Sequence, residues 1–296
     1  MRCLHEAIDR LHVACLRRVM PRVFRHGVES PSLVEHLNAV QLRLPALTSA
    51  RHYHVQAQTL VGELRAGFQI RWGPRPTLPV IVYHHGIAEM PYDKSFRGIF
   101  RDSLPGQAHL VAIRAPFHRT WLGLLPGLAS MAHFLAMCAV AMRLGEAVRQ
   151  ALLAHGAQGS MLVGTSLGGF LALVHHCLFG SADCYVPLLA GPDLAYSMLS
   201  THLRHFLAAP ALAHAASITA LLDWRAAFHA SDTRRVVPLL ARYDLHMPYA
   251  HYAACYAACG VPVVSMTRGH ITGTLAFATL RTHVRTCIQT LPSPST

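Results

Sequence analysis

The hexapeptide Gly164-Thr165-Ser166-Leu167-Gly168-Gly169 stands between the apolar run Ser160 to Val163 and the helix-like stretch Phe170 to Cys177. The chain must therefore pass from strand to helix through one sharp turn, the context of a nucleophile elbow. A serine at the apex of such a turn is held in a strained backbone conformation, so the residues two positions to either side must be small, and Gly164 and Gly168 meet that need. Gly169 lets the helix pack close to the strand. Ser166 is thus the residue to explain.

A serine hydroxyl is a weak nucleophile and needs a base, an acid that orients the base, and donors for the oxyanion. After Ser166 the chain has no glutamate and five aspartates, Asp183, Asp193, Asp223, Asp232 and Asp244. Asp244 ends the buried-strand pattern Val236 to Tyr243, and a carboxylate at the carboxyl end of a parallel strand faces the crevice where such sheets bind ligands. Asp232 precedes the same strand and points to its other end. Asp183 and Asp223 read as surface or capping residues, and Asp193, just beyond the strand Cys184 to Ala190, is the competitor. Strand-end placement favours Asp244.

With 22 histidines in the chain, a lone histidine means little. His270 differs because it follows the last apolar strand, Gly260 to Thr267, on a loop beside Gly269, and completes the chain order Ser, Asp, His. His246 and His251 lie close to Asp244 but precede that strand. The strand Pro79 to Tyr83 runs into His84-His85-Gly86-Ile87, where a second oxyanion donor belongs. The backbone N–H groups of Leu167 and Ile87 are the candidate donors. His84 and His85 also suit a metal pair, but no third ligand stands at a recognisable spacing, so no metal or other cofactor is called for.

In these segments the chain resembles the α/β-hydrolase superfamily, its serine esterases and lipases in particular, with a core from about Val55 to Ile288. It departs from the commonest patterns in two places: the oxyanion segment is His-His-Gly-Ile rather than a run of glycines, and Thr165 stands where many esterases have histidine, aspartate or glutamate. Neither departure removes a catalytic group. The resemblance implies acyl transfer to water by Ser166, His270 and Asp244 on a small, hydrophobic ester. Thioester or amide cleavage and acyl transfer would use the same groups. A non-catalytic or membrane-associated scaffold on the same fold is the alternative from another class.

The apolar strands near 79–83, 109–114, 160–163, 184–190, 236–243 and 261–267 alternate with helical stretches, which predicts an α/β chain with a mostly parallel sheet flanked by helices. Residues 1–50 read as an N-terminal helical extension, and 51–296 as the main domain, opening with two amphipathic strands between Arg51 and Trp72. Between the apolar runs 184–190 and 236–243, residues 193–230 have helical character. By resemblance they form a cap, lining the pocket partly with Leu199, Leu203, Phe206, Leu207, Leu221 and Trp224, most of which are expected to pack the cap onto the core. Glu89 to Arg97 suits either substrate contact or the cap of the helix that follows, and capping is the preferred reading.

The net charge of +12 raises nucleic acid as a partner. The arginines are scattered rather than striped, Lys94 is the one lysine, and the charge reads as compositional background with no nucleic acid implied. Arg17, Arg18, Arg22 and Arg25 lie on an amphipathic stretch able to touch an anionic membrane surface. An amphipathic stripe is also the ordinary pattern of a helix packed on its own domain, which is the preferred reading. Residues 121–142 hold no charge and are long enough to span a bilayer. Their place between two strands of the sheet favours a buried core helix. Glu6 and Asp9 interrupt the amino end, which argues against a signal peptide, and the cysteines sit in apolar stretches without a CxxC. Reduced thiols in the cytoplasm are expected.

Overall fold

The computed structural model describes residues 2–48, 51–101 and 104–291. Helices α1 (Arg2–Val19) and α2 (Leu33–Ala39) lead into strands β1 (Gln41–Leu42), β2 (His52–Thr59), β3 (Gly62–Arg71) and β4 (Val80–His84). Then come α3 (Lys94–Ile99), β5 (His109–Arg114), α4 (Trp121–Gly127), α5 (Met131–Ala154), β6 (Ser160–Thr165), α6 (Leu167–Phe179) and β7 (Cys184–Leu188). Helices α7 (Leu194–Ser200), α8 (Ala209–Ala213), α9 (Ala215–Leu222) and α10 (Arg225–His229) separate β7 from β8 (Leu239–Ala241). The chain closes with α11 (Tyr249–Ala257), β9 (Val264–Met266), α12 (His270–Thr274) and α13 (Phe277–Ile288).

Among the described residues nine strands form one sheet in the order β1-β2-β3-β5-β4-β6-β7-β8-β9. The first three are an antiparallel meander, β3 pairs antiparallel with β5, and the strands from β5 to β9 are parallel. The central strands alternate their side chains between two cores. Val80, Val82 and Leu162 face α2, α5 and α6, whereas Ile81, Tyr83, Met161 and Val163 face α3 and α13. Strands covered on both faces read as continuous apolar runs, which is why β4, β5 and β6 were legible.

The order reverses at β4: the chain moves from β4 to β5 on one side, then crosses to β6 on the other. Such a switch point opens a crevice beyond the carboxyl ends of the two strands. The Gly86-Ile87 turn leaves β4 there, and Ser166 leaves β6 there.

Several boundaries differ from the sequence reading. The stretch read as helical up to residue 50 enters the sheet at β1, because Val40, Leu42 and Leu44 alternate with exposed Gln41 and Arg43. Residues 49 and 50 lie outside the described residues, as do 292–296 of the main domain. The run 236–243 contributes only three strand residues. Pro238 lacks a ladder donor, and the Arg242 and Tyr243 N–H groups turn to the carbonyls of Met266 and Arg268. The run 261–267 shrinks to β9, an edge strand whose Val264 is 46% exposed. Residues 121–142 are two helices, since Thr120 and Ser130 each cap a new first turn. Helix α5 is long and apolar enough to cross a bilayer, and it lies mostly buried against the sheet, α2 and α6.

Candidate active site

Ser166 has φ 56° and ψ −118°, a conformation outside the usual region for a non-glycine residue. Close packing around the turn holds it there. A Cβ on Gly164 would lie 2.0 Å from the Gly168 carbonyl oxygen, and one on Gly168 would lie 2.0 Å from the His84 carbonyl oxygen. A Cβ on Gly169 would meet that of Ala190 at 2.6 Å. The Ser166 N–H donates to the Leu188 carbonyl at 2.9 Å, anchoring the turn to β7. Thr165 points the other way, where its hydroxyl accepts from the buried Tyr83 hydroxyl at 3.1 Å.

Asp244 follows β8 and His270 opens α12, and both are buried. His270 Nδ1 lies 2.7 Å from Asp244 Oδ2, and Nε2 lies 3.0 Å from Ser166 Oγ. The other carboxylate oxygen of Asp244 accepts the N–H groups of His246 at 2.8 Å and Met247 at 2.7 Å. These bonds stabilise the ionised carboxylate. Burial alone would lower the basicity of His270, but the charge of Asp244 and its hydrogen bond outweigh that and raise the imidazole above its ordinary value. Asp193 is engaged elsewhere: it accepts from Tyr196 N–H and, at 3.0 Å, from His251 Nε2, and forms an ion pair with Arg225 Nε at 3.2 Å. His251 is thereby raised to about 9. His246 packs its ring 4.8 Å from that of His270 without joining the chain of hydrogen bonds to Ser166.

Leu167 and Ile87 line the same cavity as Ser166. Leu167 begins α6, where a backbone N–H has no intrahelical acceptor. Ile87 N–H makes no hydrogen bond among the described residues. His84 and His85 diverge. The His84 ring abuts Gly145 of α5. His85 takes the Ala115 N–H on Nε2 at 3.2 Å, so its Nδ1–H donates to the Gly86 carbonyl at 2.9 Å. Because the carbonyl and N–H of a trans peptide point in opposite directions, this bond orients the N–H of Ile87. His118 Nε2 holds the Ile87 carbonyl at 2.9 Å.

No family model and no curated protein sequence matches the chain. Solved structures do. An esterase from Pyrococcus furiosus superposes with a TM-score of 0.55 at 12% identity, covering 88% of this chain and 96% of that one. Est1E from Butyrivibrio proteoclasticus gives 0.55 at 12% identity over 76% and 96%. A thermostable carboxyl esterase from Bacillus coagulans, solved with glycerol, gives 0.57 at 10% identity over 81% and 100%. The chain has the α/β-hydrolase fold. At these identities the likeness concerns the path of the chain.

On this α/β-hydrolase frame, a cavity of about 410 Å³ opens at Ser166. Most of its wall is apolar, and residues 193–230 supply part of it. Leu203 and Phe206 do line it, but Leu207 is buried in the core, and Leu199, Leu221 and Trp224 pack against that core. Other lining residues come from α1 (His12, Leu16) and Met20 just beyond it, from α4 and α5 (Trp121, Leu124, Phe134), and from Leu194 and Met198 of α7. An insertion must bury its own apolar face before it can line a pocket, so hydrophobicity alone does not mark lining residues.

Sequence reasoning gave two carboxylates no site role of their own. Glu89, in the segment read as a helix cap, accepts the Ser95 N–H of α3 and also the Gly86 N–H of the turn after β4 at 3.2 Å. Burial raises it to about 7 against those bonds. Asp9 of α1 is fully buried beside the His270 backbone. The one local signal was an acid on the buried stripe of an amphipathic helix, in register with His5 and Val13.

Proposed function

We propose that the chain is a serine hydrolase that cleaves carboxylic esters with an apolar acyl group through an acyl-enzyme. Ser166 Oγ attacks the ester carbonyl carbon while His270 Nε2 takes its proton. Asp244 keeps the proton of neutral His270 on Nδ1 and supports the imidazolium that forms. The N–H groups of Leu167 and Ile87 stabilise the tetrahedral oxyanion. His270 then gives its proton to the departing alcohol. A water activated by His270 attacks the acyl-serine, the tetrahedral species collapses, and the carboxylic acid leaves with Ser166 restored.

The reading is carried by one observation: a single buried imidazole bridges a buried carboxylate at 2.7 Å and the hydroxyl of a positive-φ serine at 3.0 Å, at the foot of an apolar cavity. The preference for an apolar acyl group rests on the cavity wall, since such pockets bind by burying apolar surface around a few polar groups. Packing of α5 within the chain favours a soluble enzyme, and residues 193–230 are proposed as a partial cap. The likeness to esterases of the same fold supports ester cleavage.

The test is labelling of purified protein with a fluorophosphonate, comparing wild type with Ser166→Ala and His270→Ala, followed by hydrolysis of p-nitrophenyl esters of graded acyl length. Labelling of wild type alone is expected. Folded wild type that takes no label would overturn the hydrolase reading in favour of a non-catalytic scaffold.

A further inference from the structure

Helix α1 buries His5, Asp9 and Val13, one residue per turn along a single stripe. A carboxylate on such a stripe is costly unless hydrogen bonds compensate it. Asp9 has 0% exposure, and among the described residues no cation pairs with it. Its partners are three backbone N–H groups. Oδ2 accepts from Leu245 at 3.2 Å and from His270 at 2.8 Å, and Oδ1 accepts from Ile271 at 3.0 Å. Leu245 directly follows Asp244, so one oxygen of Asp9 ties the backbone beside the acid to the backbone of the base. The helix sits tightly on that loop: a Cβ on Gly269 would lie 2.9 Å from Asp9 Oδ2 and 3.0 Å from the His5 carbonyl oxygen. His5 Nδ1 adds a contact to the Thr272 hydroxyl at 2.8 Å.

We propose that Asp9 is a positioning residue for the reaction, fixing the backbone of His270 against that of the Asp244 loop and supporting the imidazolium formed when His270 takes the proton of Ser166. This rests on the triad reading above. The groups facing His270 are Asp244 from the β8 loop, Asp9 and His12 from α1, His246, and the Ser166 hydroxyl. Burial lowers the basicity of both His12 and His246, which leaves Asp244 and Asp9 as the acids that favour the imidazolium. Both act to raise its basicity. On this account α1 is part of the active site, because it supplies the clamp on the base as well as one wall of the cavity.

The experiment uses the full chain and the variants Asp9→Asn, Asp9→Glu and Val13→Ala, each verified as folded by circular dichroism. The titration midpoint of the His270 imidazole is followed by NMR, with the resonance assigned through His270→Gln. The values of kcat and KM for p-nitrophenyl butyrate are measured across pH. Asp9→Asn removes the charge and turns an amide NH₂ toward backbone donors. It should lower the His270 midpoint by at least about half a pH unit. It should also lower kcat roughly 10- to 100-fold, with KM changed less than about threefold. Asp9→Glu keeps the charge but displaces it by one methylene, so kcat should fall while the midpoint stays. Val13→Ala loosens α1 without touching the clamp, and should lower Tm while leaving the midpoint in place. An Asp9→Asn midpoint within about 0.2 units of wild type, or an equal shift in Val13→Ala, overturns the proposal. The NMR midpoint needs no turnover. A midpoint that shifts as expected in a chain that neither labels nor hydrolyses esters would therefore count against the hydrolase reading and not against the clamp.

Discussion

Asparagine at position 244 would change one atom of the acid and, through the bonds around it, the tautomer of His270. Oδ1 of Asp244 accepts two backbone N–H groups, at 2.8 and 2.7 Å, so in Asp244→Asn the amide oxygen must stay at that position and the NH₂ must face His270. His270 Nδ1, 2.7 Å away, is then forced to accept, and the ring proton moves to Nε2. A protonated Nε2 cannot take the proton of Ser166 Oγ at 3.0 Å. In serine hydrolases the wrong tautomer costs roughly 10⁴ in kcat, about 5.4 kcal/mol of transition-state stabilisation. Stability should suffer little, because both backbone bonds survive; a loss below about 2 kcal/mol is expected. Asp244→Ala makes the contrasting case: it strips two N–H groups of their acceptor and lowers Tm further, yet it leaves the ring free to adopt either tautomer. Per folded molecule, Asp244→Ala should therefore be at least as active as Asp244→Asn. The assay is hydrolysis of p-nitrophenyl esters at pH 7 to 9, with fluorophosphonate labelling to count competent serines and thermal melts to count folded chains. An asparagine variant that keeps more than about a tenth of the wild-type kcat would refute the reasoning.

Three further outcomes follow from the same geometry. Gly168→Ala would drive a Cβ to 2.0 Å from the His84 carbonyl oxygen, backbone that cannot move aside, so little folded protein should be recovered; a variant melting within a few degrees of wild type would contradict this. His270 must be neutral to act as a base, and its folded pKa is raised, so kcat/KM should be lost as pH falls through a midpoint above the ordinary histidine value of about 6.5. A pH profile with an acid limb centred below about 6 would count against the Asp244–His270 pair as described. Glu146→Ala would leave Arg149, now held by two bonds of 2.8 Å, buried and unpaired, at a cost of about 3–5 kcal/mol in urea unfolding. Although burial opposes it, bonds from Arg149 and His175 hold the Glu146 carboxyl below its ordinary range. Its contribution to stability is therefore present above the unfolded carboxyl pKa and is lost as pH falls below it; a cost under about 1 kcal/mol would tell against the network.

The parts of this molecule that were readable in the sequence are those whose constraint is local. An elbow needs small residues at fixed offsets from its serine, and Gly164, Gly168 and Gly169 announce it without reference to any other segment. Central strands covered on both faces need unbroken apolar runs, so β4, β5 and β6 stood out. Asp244 and His270 needed one further step, the rule that loops at the carboxyl ends of parallel strands meet in one crevice. The rule held even though β8 and β9 proved much shorter than the runs that suggested them. For β9 edge position explains the difference: it has one neighbour, and Val264 stands half in water while Met266 is buried.

The parts that stayed hidden depend on which distant surfaces meet. Leu199, Leu203, Phe206, Leu207, Leu221 and Trp224 are chemically alike, and two of them line the cavity only because their turn of chain, Thr201 to Leu207, packs against α1. Asp9 is the sharper case. Its carboxylate bonds to a backbone N–H 261 residues away, and nothing near it in sequence speaks of a base or a pocket. The arginines around it drew attention to the exposed face of α1. The chemical oddity lay on the opposite face, an acid in a buried stripe with no cation at helical spacing. A buried carboxylate must find donors somewhere, and the donors with unfilled bonds in a parallel α/β sheet are the loop and first-turn N–H groups that also hold catalytic residues. An unpaired acid on the buried side of a helix is therefore a pointer toward such loops, and in this chain it points to the loop that carries His270.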